Sequence, residues 1–141
     1  MTERKITYAL NRIKASKEGG YNIEALVKSY QLNIELLRYI ISQTDSGKDQ
    51  QDKKVKALVK HLVEKAGTDS RLKTIISKKS FKALKPWLAK MDVFFKALKT
   101  CQAYNTKPLQ SETEKIFGIL KISANKVIVK KNATETTKKQ G

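Results

Sequence analysis

One cysteine, one histidine, one tryptophan and two prolines are all that a chain of 141 residues holds of these types. The lone Cys101 excludes an intrachain disulfide and any cysteine-based metal cluster, and it fits a reducing, cytoplasmic setting. The lone His61 has no companion for a catalytic dyad or a metal site: no cysteine–histidine spacing, H-E-x-x-H, P-loop or G-x-G-x-x-G is present. Among the six glycines, Gly19-Gly20 and Gly47 read as turn signals rather than phosphate loops. No apolar run approaches the ~18 residues of a membrane span, and the opening MTERKITYAL is charged from residue 3, unlike a secretory segment. A membrane is therefore not an expected partner. The 13 acidic residues are scattered and form no evident acid–base pair. No catalytic residue, metal ligand or cofactor is assigned, and the chain reads as a non-enzyme.

Acidic charge is scarce against 30 basic residues, which leaves a formal net charge of +17. The excess is uneven: net +1 over residues 1–52, net +12 over 53–107 and net +4 over 108–141. Such a field draws polyanions. Lysine outnumbers arginine 26 to 4. Base reading and bidentate phosphate contacts favour arginine, so nucleic acid held by this chain is expected to be held without regard to sequence.

Helical periods dominate the chain, and the expected fold is all-α, a single bundle of four or five principal helices with a short additional one. Thr2 caps a first helix with Ile6, Ala9, Leu10 and Ile13 on one face, and Gly19-Gly20 closes it. A second helix runs to about Ser42. Its stripe is Ile23, Leu26, Tyr30, Ile34, Leu37 and Ile41, widened by Val27, Leu32, Leu36, Tyr39 and Ile40. Only Lys28, Gln31, Glu35 and Arg38 remain as a solvated seam, which marks this helix as the central one. QTDSGKDQQD (43–52) reads as a mobile loop, residues 52–66 as a third helix containing Val55, Leu58, Val59, Leu62 and Val63, and residues near 69–76 as a short helix. A last helix is expected to open at Ser111, where SETE matches a capping box, with Glu112 and Glu114 as favourable charges in its first turn. The bundle is assigned to 1–131. NATETTKKQG (132–141) has nothing to bury and is expected to be a disordered tail.

Residues 78–99, KKSFKALKPWLAKMDVFFKALK, combine lysines with four aromatic rings. Phe81, Leu84, Leu88, Met91, Phe95 and Leu98 alternate steps of three and four, and Trp87 and Phe94 broaden that face. The rings are thus core rather than base-stacking platforms, which need exposure. Pro86 is expected to mark a new helix start or a kink. The lysines lie mostly elsewhere on the wheel. Lys53, Lys54, Lys56, Lys60, Lys78, Lys79, Lys82, Lys85, Lys90, Lys96 and Lys99 are the candidate nucleic-acid-binding residues, through the phosphate backbone of DNA or RNA. The competing reading is a protein-interaction or scaffold domain, a homodimer or the receptor of an acidic protein, whose charge otherwise serves solubility.

Within GGYNIEALVKSYQLNIELLRYII (19–41), residues Tyr21, Glu24, Ala25, Leu26, Tyr30, Glu35, Leu37, Arg38 and Tyr39 follow a recognisable pattern. It resembles the HEPN superfamily of helical nucleotide- and RNA-associated domains. Active members of that family carry an arginine followed a few residues later by a histidine near the last core helix. This chain has no arginine after Arg71 and no histidine after His61. The resemblance therefore implies a non-catalytic relative used for binding or assembly.

Overall fold

Thr2 starts the first helix as the sequence predicts. Its extended backbone leads into α1 (Glu3–Glu18), and its Oγ1 accepts the Lys5 N–H at 3.2 Å. The computed structural model describes the backbone of residues 2–42, 54, 56–57, 59–60 and 78–140, and the side chains of these apart from 78–81 and 127–140. The expected loop 43–52, Lys53, His61 and the short helix near 69–76 lie outside the described residues.

α1 ends in a paired reversal. Tyr21 N–H donates to Ser16 O at 2.8 Å and Gly20 N–H to Lys17 O at 3.1 Å, with Gly20 at φ 79°. The chain turns back at once into α2 (Asn22–Ser42), so α1 and α2 form an antiparallel hairpin. α2 is the central helix. Leu26, Leu36, Leu37, Ile40 and Ile41 are fully shielded, while Gln31 and Glu35 stay exposed on the expected seam. Ile23 departs from the expected stripe and is 51% exposed, because its place in the first turn puts it on an open groove beside Tyr104.

α3 (Lys78–Lys99) runs through Pro86 without ending, so the proline is neither a start nor a boundary. Pro86 lies on the exposed side, opposite the apolar stripe. Leu84, Trp87, Leu88, Met91 and Phe94 are buried, and the ring of Phe95 meets Tyr30 of α2 edge-on at 5.1 Å. Leu98, expected in the same stripe, reaches the helix end and is 36% exposed.

α4 (Lys107–Gln140) begins four residues before the predicted Ser111. Asn105 Oδ1 accepts the Lys107 N–H at 3.3 Å, Thr106 O accepts the Gln110 N–H at 2.8 Å, and Pro108 sits in the first turn, where no N–H is needed. Ser111 is therefore inside the helix. Glu114 instead bonds Lys17 of α1 at 2.6 Å, and Glu112 bonds Lys90 of α3 at 2.7 Å. The α4 backbone continues through 132–140, and among the described residues its buried core contacts end at Ala124.

α4 packs on α2 and α3 through Leu109, Ile116, Leu120 and Ala124. The fold is an all-α bundle, with no strand among the described residues. Among those residues no helix is long and apolar enough to cross a membrane.

Candidate functional site

The apolar stripe of α3 faces α2 and α4, so its lysines are turned outward. Lys82, Lys85, Ala89, Asp92, Lys96 and Lys99 succeed one another at steps of three and four and form one line along the exposed side. From Lys82 to Lys99 that line covers about 26 Å, at 1.5 Å per residue. Lys82, Lys85, Lys96 and Lys99 are exposed, and among the described residues none of them has a carboxylate partner. Lys78 falls on the same line by register, and Lys79 is one position off it; only their backbone is described.

Asp92 is the one acidic residue of α3. Lys56 reaches across from the helical stretch that precedes α3 and holds Asp92 Oδ2 at 2.7 Å. The carboxylate that would break the lysine line is thereby neutralised. Lys56, Lys96 and Lys99 then border a groove of about 600 Å³ that also takes in Phe95 and Leu98. Lys54 and Lys60 are exposed on the same preceding stretch. Lys90 differs from the other candidates. It leaves the line and is engaged by Glu112 between α3 and α4. This pairing sets Lys90 apart from Lys82, Lys85, Lys96 and Lys99.

A second basic groove, of about 690 Å³, lies between α1 and α2. Arg4, Lys5, Tyr8 and Arg12 line it from α1, and Lys28 and Glu35 from α2. Tyr8 is 65% exposed, with the Arg12 guanidinium carbon 5.8 Å from its ring centroid. The near-zero charge balance of residues 1–52 hides this face, because of the described acids Glu3, Glu18, Glu24 and Glu35 only Glu35 lines it. The readable signal was the spacing Arg4, Tyr8, Arg12, one residue per turn on the side away from Ile6 and Ile13.

Among the described residues no group of three or more histidine, cysteine and carboxylate side chains comes together in a way that could hold a metal ion. Cys101 is exposed at the end of α3. No protein-family model matches the chain, and no curated protein or solved structure matches it either.

Proposed function

We propose that this chain is a non-catalytic helical domain that binds nucleic acid without regard to sequence, along the exposed lysine line of α3. The observation that carries the reading is the pairing pattern. Among the described residues, four lysines in register are left without carboxylates, while the single acid between them is taken up by Lys56. Lysine ammoniums act as point charges toward phosphates and discriminate bases poorly, which suits backbone binding. The likeness to HEPN domains without their arginine–histidine pair points the same way.

Filter binding of DNA and RNA, single- and double-stranded, across a salt series tests the proposal. Affinity should fall with salt at a log–log slope of about −0.9 per duplex phosphate contacted. Changing Lys82, Lys85, Lys96 and Lys99 together to glutamine should weaken every sequence alike and flatten that slope. The melting temperature should hardly move, since exposed lysines contribute little to folding. Absence of binding to all four nucleic acids at low salt would overturn the proposal and put the scaffold reading first.

A further inference from the structure

The groove between α1 and α2 has a composition that the α3 line lacks. It joins an exposed aromatic ring to guanidinium groups. Two of the four arginines of the chain, Arg4 and Arg12, meet there around Tyr8. Lys28 is already satisfied by Glu24 at 2.7 Å and by Ser16 Oγ at 3.1 Å. Arg4, Lys5 and Arg12 have no carboxylate partner among the described residues, and Glu35 is the one acid lining the groove. The net field there is positive.

Resting on the nucleic-acid reading above, the geometry points to this groove as a subsite for single-stranded nucleic acid, in which an unpaired base stacks on Tyr8 and the adjoining phosphates meet Arg4 and Arg12. The Arg12 guanidinium lies over the ring at 5.8 Å, and Tyr8 is nevertheless 65% exposed, which leaves ring surface for a second partner. A flipped-out or unpaired base presents a π-face of matching size, and stacking of this kind accepts every base. A duplex cannot use the site, because its bases are already stacked on one another. An acidic peptide would satisfy the arginines but has no use for the ring. The lysine line of α3 takes either form of nucleic acid through phosphates alone, so this groove would turn a general polyanion binder into one that prefers single strands.

The test compares three fluorescent probes on the full chain: oligothymidine, an abasic phosphodiester strand of the same length, and a duplex. Tyr8→Ala should weaken oligothymidine by about 5- to 150-fold. It should leave the abasic strand, the duplex and the salt slope unchanged. Tyr8→Phe should bind like the parent. Tyr8→Leu keeps apolar bulk on the helix without a π-face and should reproduce the loss, which separates stacking from any effect of alanine on folding. The inference is overturned by equal losses on all three probes, by no loss on oligothymidine, or by polyglutamate competing with the same dependence on Tyr8. If the lysine-line variant weakens all three probes while Tyr8→Ala and Tyr8→Leu affect none, this inference falls alone. If the parent chain binds none of the three, both readings fall together.

Discussion

The core joins apolar side chains to a small set of buried polar ones. Leu26, Leu36 and Leu37 announce themselves by period, and all are fully buried. Ser29, Asn33 and Thr113 are equally buried, but nothing in a hydrophobic period marks them. Each also has a partner from a distant part of the chain. Trp87 Nε1–H donates to Thr113 Oγ1 at 2.9 Å, and Thr113 Oγ1 donates to Leu109 O at 2.7 Å. Asn33 Nδ2 donates to Thr113 O at 3.1 Å, and Gln110 Nε2 donates to Ser29 Oγ at 3.1 Å. This chain of bonds fixes α2, α3 and α4 relative to one another, a role that apolar contacts fill less specifically. Thr113→Val removes the acceptor of the buried indole N–H and should cost ~1–3 kcal/mol in denaturant unfolding. In a Trp87→Phe background, where no N–H is left unpaired, the same change should cost clearly less. Tyr30 offers a pH probe. Burial, and then the negative Asp92, raise its pKa above the ordinary tyrosine value, with Arg38 opposing them. The folded state thus holds the phenol proton more tightly than the unfolded state. The stabilisation is complete below the ordinary value of about 10 and is lost as pH rises through the folded pKa. Melting temperatures above about pH 9 should therefore fall less steeply for Tyr30→Phe than for the parent, and parallel curves would refute the assignment.

At the scale of elements, two helix ends share one geometry and differ in how legible they are. α1 closes with Gly20 in the left-handed region, as a Gly-Gly pair suggests. α3 closes with the same pair of bonds. Gln102 N–H donates to Ala97 O at 2.9 Å and Cys101 N–H to Leu98 O at 3.2 Å, but the left-handed residue is Cys101, at φ 55°. A cysteine there gives no hint of a cap. Its conformation carries a cost that glycine avoids. Cys101→Gly should raise stability by about 1 kcal/mol, and Gly20→Ala should lower it by a similar amount, both measured by chemical denaturation. Two further helix boundaries involve proline. Pro86 reads as a new helix start or a kink because it removes a helical hydrogen bond; the start is not there, and burial of Leu84, Trp87, Leu88 and Met91 on both sides of it keeps α3 whole. Pro86→Ala restores that bond on an exposed face and should stabilise by up to about 3 kcal/mol. Ser111 reads as a cap because SETE fits the box, but the Asn105–Pro108 stretch supplies an earlier start, and Thr113 is then free to face the core.

For the whole molecule, sequence reveals how much charge there is, and docking decides which charges remain available. The outward lysines of α3 were legible from its apolar period. That Lys90 is spent on Glu112, and that Lys56 cancels Asp92, depends on how helices meet, which no local pattern encodes. The same distinction separates a binding surface from a merely soluble one. If the net charge alone attracts polyanions, any four exposed lysines are equivalent, because the far field depends on their sum. If the line matters, position decides, since phosphates on one strand are met in succession by side chains on one helix face. Two variants with equal loss of charge tell these apart. One changes Lys82, Lys85, Lys96 and Lys99 to glutamine. The other changes Lys14, Lys107, Lys115 and Lys126, which are also exposed but sit on α1 and α4. The first should lose affinity for duplex DNA in low salt and flatten the salt slope by about 0.9 for each phosphate contact removed. The second should weaken binding only slightly and keep the slope of the parent. Equal losses with equal slopes would show that the chain attracts nucleic acid through its overall field, without an organised site on α3.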